Sequence, residues 1–87
     1  MENILTTQEF LQVLKEMNFR MTKQGLLMYE NKGTVTAYFK HPKFKLWRVD
    51  HIKAFIASLS RKRKREYNEE DLDNYIKFIQ SQRDVNN

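Results

Sequence analysis

Residues 22–49, TKQGLLMYENKGTVTAYFKHPKFKLWRV, change their hydrophobic period partway along, and that change decides the fold. Thr22 is a natural helix cap, because its hydroxyl can accept a backbone amide of the first turn. Over Lys23 to Asn31, Leu26, Leu27 and Tyr29 recur at helical spacing and are expected to face a preceding helix. Gly33 supplies the stop. Gly25 lies inside this helix at a cost of about 1 kcal/mol relative to Ala, which implies a close neighbour, with the preceding helix favoured over a DNA backbone. From Thr34 to Phe39 the period becomes two, with Val35, Ala37 and Phe39 on one side of a strand. Lys40-His41-Pro42-Lys43 reads as the turn, since Pro42 cannot continue a ladder. The return strand, Phe44 to Val49, sends Lys45, Trp47 and Val49 to one face and Leu46 and Arg48 to the other. A lone hairpin is marginal in water, so it must pack on helices, with Trp47 and Phe39 as the expected anchors.

Upstream, Leu5-Thr6-Thr7-Gln8-Glu9-Phe10 carries a capping box, Thr6 with Glu9, and a hydrophobic staple, Leu5 with Phe10. The helix it opens runs to about Met17 with Phe10, Val13, Leu14 and Met17 on its buried face. Asn18 is the expected left-handed stop, which turns Phe19 inward. Arg20 and Met21 then form a short connection to Thr22. Downstream, Asp50 is read as the cap of a third helix with Ile52, Phe55, Ile56 and Leu59 as its stripe. Five adjacent cations follow, Arg61 to Arg65, whose mutual repulsion suggests a frayed helix end or an extended linker. Asn68 then caps a last helix, with Tyr67 and Leu72 as staple partners, acidic residues in its first turn, and Leu72, Tyr75, Ile76 and Ile79 along one face. From Gln80 onward the helix is expected to fray.

The 87 residues permit one domain with a single modest core, burying roughly 60–65 % of the unfolded surface. The absence of cysteine excludes disulfides and thiolate zinc, and two histidines alone do not make a structural metal site. There is no apolar run long enough for a membrane span, and Met1 to Phe10 lacks the pattern of a signal peptide, so the expected location is cytoplasmic. The net charge of +5 is unevenly spread. Residues 1–39 sum to zero, residues 40–65 to +9 and residues 66–87 to −4. The middle block suits a polyanion, nucleic acid being the commonest in a cell; the plain alternative is a solubilising surface.

Helix, short connection, helix, hairpin and helix make a winged helix-turn-helix (α-α-β-β-α), here with an additional C-terminal amphipathic helix; the fold class is mainly α with a small β-hairpin. This divides the chain into residues 1–60 as the winged unit, 61–66 as a basic linker and 67–83 as the last helix, either part of the same compact unit or an oligomerisation element. The chain also resembles the excisionase-like branch of the MerR-type winged-helix proteins of phages and mobile elements. The resemblance covers roughly residues 4–59 and rests on Leu5-Thr6-Thr7-Gln8-Glu9-Phe10, Thr22-Lys23-Gln24 and Leu46-Trp47-Arg48-Val49-Asp50-His51-Ile52. The sequence departs from the family in having Phe10 and Leu11 early in helix one, and in lacking a second glycine-rich turn before the wing. The resemblance implies a non-catalytic protein of the nucleoid that binds double-stranded DNA, as a recombination directionality factor or a small transcriptional regulator. Its implied partners are DNA, a homodimer or cooperative multimer, and an integrase or other phage or host protein.

On that reading Thr22, Lys23 and Gln24 enter the major groove, Lys23 suiting guanine edges and Gln24 adenine edges. Lys40, His41, Lys43, Lys45 and Arg48 meet phosphates or the minor groove. Arg61, Lys62, Arg63, Lys64 and Arg65 are read as a phosphate clamp, against the alternatives of a solvated linker or an import signal. Leu72, Tyr75, Ile76 and Ile79 are the expected oligomer or partner contact. Thr22 also serves as a plain cap, Lys23 and Gln24 also suit an ordinary helix surface, and His41 also suits a turn. Tyr38 is left open between base stacking and the core rim. No constellation for catalysis is present, and no cofactor or metal is expected. The rival class is a protein-interaction adaptor or inhibitor acting through the last helix.

Overall fold

Thr6 opens the first helix with both halves of the capping box made: its hydroxyl accepts the Glu9 amide at 3.2 Å, and its own amide donates to Glu9 Oε1 at 2.9 Å. That helix, α1, spans Thr7–Glu16 and follows directly on a short strand, β1, Ile4–Thr6. The chain continues as α2 (Lys23–Asn31), β2 (Phe39–His41), β3 (Phe44–Arg48), α3 (Val49–Arg63) and α4 (Glu69–Val85). The computed structural model describes residues 3–85; Met1 and Glu2, assigned above to the winged unit, and Asn86–Asn87, assigned to the fraying tail, lie outside the described residues. The architecture is mainly helical with a small antiparallel sheet in the order β1-β3-β2.

The first three helices each end on a left-handed residue, Asn18 (φ 66°), Gly33 (φ 79°) and Lys64 (φ 53°). In each case the next amide reaches back to the last turn, Phe19 to Leu14 O, Thr34 to Tyr29 O and Arg65 to Ser60 O. These are Schellman closures, which satisfy terminal carbonyls and swing the following residue inward. Phe19 thereby becomes fully buried.

The core is a chain of edge-to-face rings. Trp47 of β3 meets Phe10 of α1 at 5.2 Å, Phe10 meets Phe55 of α3 at 5.8 Å, and Phe55 meets Tyr29 of α2 at 5.1 Å. The Trp47 indole N–H donates to Thr7 Oγ1 at 2.9 Å, so the buried ring leaves no unpaired donor. Leu5, Val13, Leu14, Leu26, Ile52, Ile56 and Leu59 fill the space around it.

Several expectations are corrected. The N-terminal strand was not anticipated; Leu5 pairs with Trp47 across β1 and β3 and is buried by the same contact. Residues 34–38 are irregular: Val35 and Ala37 are buried as expected, but the alternation breaks before β2. Phe39 is 45 % exposed and is not an anchor. It lies opposite Leu46, whose side chain points away from that of its neighbour Trp47, so Phe39 and Trp47 take opposite faces of the sheet. Lys40 and His41 belong to β2, leaving Pro42-Lys43 as a two-residue turn. Val49 and Asp50 already belong to α3, whose cap position is Arg48; Asp50 lies within the first turn and does not cap. Leu27 is 44 % exposed, and Tyr29 packs on α3 instead of α1.

The tail departs most from its reading. Basic residues 61–63 form the last turn of α3, and Arg65 is fixed, donating from Nη1 to Asn18 O at 2.7 Å. The α4 helix does not fray at Gln80. Its Arg83 holds Glu9 through Nε at 2.9 Å and through Nη2, and Nη2 also donates to Ile4 O at 2.9 Å. Leu72, Ile76 and Ile79 are buried in the chain's own core, and Tyr75 packs partly buried against it. The face offered as an oligomer or partner contact is therefore already covered, because α4 supplies hydrophobic area that α1 and α3 alone lack.

Replacing Trp47 with Ala should cost about 3–5 kcal/mol, a large part of the roughly 5–10 kcal/mol expected for a domain this size. Trp47→Phe should cost much less. The two glycines should separate in the same denaturant assay. A Cβ on Gly25 meets only Thr22 Oγ1 at 3.4 Å and Met21 Cβ at 3.7 Å, ordinary contacts outside α1, so the preceding helix is not the close neighbour. Gly25→Ala should be neutral or stabilising by up to about 1 kcal/mol, whereas Gly33→Ala, at φ 79°, should destabilise by about 1 kcal/mol.

Candidate nucleic-acid interface

The start of α2 is open to solvent. Thr22 Oγ1 accepts the Gly25 amide at 3.0 Å, which leaves Lys23 and Gln24 exposed on the first turn with no side-chain partner among the described residues. The β2–β3 turn approaches the same region. Together α2, the first turn of α1 and the hairpin turn enclose a groove of about 630 Å³, rimmed by Lys23, Gln24, Gln8, His41, Lys43 and Phe44 and floored by Leu26 and Trp47. Residues from three separate elements, about 20 positions apart in the chain, are brought to one concave surface.

One carboxylate sets the geometry of this groove. Glu30 of α2, its side chain only 5 % exposed, accepts from Lys45 at 2.5 Å and pairs with Lys40 at 3.3 Å. Burial by itself would raise the Glu30 carboxyl, but the Lys45 hydrogen bond and the Lys40 pairing outweigh it and hold the group below its ordinary value. Two lysines of the hairpin are thus anchored to α2. Arg48 is likewise occupied, its guanidinium meeting Asp50 through Nε and Nη2, both at 3.0 Å.

His41 serves the turn: its Nδ1 accepts the Lys43 amide at 3.1 Å. Its ring also stacks on Phe44 at 4.7 Å, with Phe39 at 5.7 Å from Phe44 on the other side of the cluster. This cluster lies on the sheet face turned away from the helices, and Phe44 is 51 % exposed. Tyr38, left open by sequence, is exposed.

Of the thirteen residues read as DNA contacts, Lys23, Gln24, His41, Lys43 and Lys45 share the groove, with Thr22 capping beneath it. Lys40 and Arg48 face ion-pair partners. The basic run lies elsewhere, with Lys62 over the Tyr29 ring at 5.6 Å and Arg63 and Arg65 at the far end of α1. Sequence reasoning missed Gln8, Leu27 and Phe44 as groove residues. The spacing of Phe39, His41 and Phe44 about a two-residue turn was the one signal that could have found the ring cluster.

Among the described residues no group of three His, Cys, Asp or Glu side chains is placed to hold a metal ion, and no helix is long and apolar enough to cross a membrane. Comparison of the chain with protein-family models, curated proteins and solved structures finds no match.

Glu9 behaves like Glu30: burial opposes ionisation, but hydrogen bonds from Arg83 and Thr6 and the Arg83 charge bring its carboxyl below the ordinary 4.5. Both carboxyls are more acidic folded than unfolded, so each contributes stability that is present above the unfolded value and lost as pH falls through the folded one. Thermal midpoints should therefore decline below about pH 4.5. Glu30→Gln should be destabilised at neutral pH and converge on the parent protein in acid. A constant difference across the acid range would assign the loss to packing.

Proposed function

We propose that this chain binds double-stranded DNA without catalysis, presenting the start of α2 to the major groove and the β2–β3 turn to the adjoining backbone. The observation that carries the reading is the groove in which Lys23, Gln24 and Lys43 converge while its one carboxylate is neutralised by two lysines. Exposed Lys and Gln at the first turn of a helix match guanine and adenine edges, and a turn cation matches phosphate. The order β-α-α-β-β-α and the motif resemblance support assigning the β2–β3 hairpin as the wing of a winged helix-turn-helix. On that resemblance the biological output is recombination directionality or promoter control at the nucleoid, with an integrase or a second copy as partner.

The structure bears on how many hairpin cations are free for DNA. Lys40, Lys45 and Arg48 already have carboxylate partners, so the hairpin's own phosphate contact rests on Lys43. A second reading, a protein-interaction module, is favoured by the exposed apolar surface of Leu27, Met28, Phe39 and Phe44. It uses α2 and the outer sheet face, since most of the apolar stripe of α4 is buried.

A titration of the whole chain against its own genomic DNA and a random duplex tests the proposal. Lys23→Ala and Gln24→Ala should each lower discrimination by about 1–3 kcal/mol. Lys43→Gln should weaken both duplexes alike and reduce the slope of log K against log salt by about 1. Equal, weak binding to both duplexes, indifferent to these substitutions, would favour the protein-interaction reading.

A further inference from the structure

The basic run, read from sequence as a frayed helix end or an extended linker, ends α3 through Arg63 and is then folded back on the domain. Lys64 turns the chain through a left-handed residue, and the Arg65 amide bonds Ser60 O at 3.1 Å while the Ser60 hydroxyl donates to Arg65 O. Arg65 then reaches the carbonyl of Asn18, the left-handed residue that closes α1. Two helix ends are thereby locked side by side. Between them opens a groove of about 750 Å³ lined by Lys15, Asn18, Arg20, Arg63 and Arg65. Lys15 and Arg20 were not among the residues singled out by sequence.

The four cations of this groove differ from the ion-paired ones. Lys40, Lys45, Arg48, Lys53 and Arg83 each face a carboxylate, respectively Glu30, Glu30, Asp50, Asp73 and Glu9. Among the described residues Lys15, Arg20, Arg63 and Arg65 form no ion pair, and no carboxylate lines their groove. Neutralising the negative ends of α1 and α3 explains Lys15 and Arg63, which lie in last turns. It does not explain Arg20, which belongs to no helix, nor Arg65, which uses one N–H on a carbonyl and keeps most of its five donors available.

We infer that this groove is a second phosphate site, which grips the backbone of the same duplex that α2 reads. Planar guanidinium forks match phosphate oxygens in pairs, and an open, shallow, multi-cation groove suits successive diesters of a polyanion better than one small ion. Arg20 lies two residues before the α2 cap, so this groove is joined to the start of α2 by a very short connection. This site lies at the opposite end of α1 from the groove lined by Thr7 and Gln8. The inference rests on the DNA-binding reading and extends it from the recognised bases to the flanking backbone.

The test is the salt dependence of duplex binding by the full chain and by K15Q/R20Q/R63Q, which keeps the Arg65 lock. Each lost phosphate contact removes about 0.9 from the slope of log K against log salt. The triple variant should lose roughly two to three slope units, keep the parent's preference for its cognate duplex, and unfold at the parent's temperature. If the triple variant unfolds early, R20Q alone carries the test, with a loss of about one unit. Undiminished slope with cognate binding intact overturns the second site and leaves the DNA reading standing. Loss of base preference with slope retained in Lys23→Ala, beside loss of slope with preference retained in the triple variant, supports two separate grooves. Failure of the parent to bind duplex overturns both claims. A parallel titration with inorganic phosphate against chloride at matched ionic strength, followed by Arg Nε resonances, distinguishes the source. Saturation of Arg20 and Arg63 at low millimolar phosphate, with the DNA slope unchanged, would make this a free-phosphate site and overturn the duplex assignment.

Discussion

The Phe10 ring is met edge-on by Trp47 from the sheet and by Phe55 from α3, and that contact joins α1, the sheet and α3. Trp47 brings β3 with it; β3 pairs with β1 on one side and β2 on the other, so the buried indole seats the sheet on the helices. Phe55 carries the contact on to Tyr29 and thus orients α2. A domain of this size has little core area to spare. It therefore uses its last helix to complete the core, with Leu72, Ile76 and Ile79 buried and Arg83 clamped on the α1 capping box.

Charge is divided into two populations by this packing. One set of cations is structural: Lys45 and Lys40 hold the hairpin to α2 through Glu30, Lys53 joins α3 to α4 through Asp73, and Arg83 joins α4 to α1. Among the cations with no acidic partner in the described residues, Lys23 and Lys43 meet at the start of α2 with the hairpin turn, and Lys15, Arg20, Arg63 and Arg65 meet in the cleft between the ends of α1 and α3. A net charge of +5 thus understates the local field, because the acidic residues are largely committed at α4 and at the joints between elements.

The legible parts of the sequence were the local ones. Thr6 with Glu9, Thr22, Asn68, Asn18 and Gly33 act within a turn of their own position, so their roles could be read from spacing alone. Trp47 was legible as an anchor because a large ring on a hairpin has few other places to go. What could not be read was pairing at a distance. The partner of Lys45 lies 15 positions away and that of Arg83 lies 74 away, and neither separation leaves a periodic trace. The face taken by Phe39 depended on register, which a short strand does not announce. The basic run was left between a frayed helix end and an extended linker, because repulsion among its charges was weighed without the Asn18 carbonyl and the left-handed turn at Lys64; residues 61–63 are helical and Arg65 is folded back. Lys15 and Arg20 became site residues only through that fold.

The most direct measurement is a map of backbone amide shifts as a short cognate duplex is added to the full chain. The account predicts two perturbed clusters, one over Lys23 to Leu27 with His41 to Phe44, the other around Lys15, Arg20, Arg63 and Arg65, with the exposed side of α4 silent. Shifts confined to the outer sheet face and α4, or none on adding duplex at moderate salt, would contradict it.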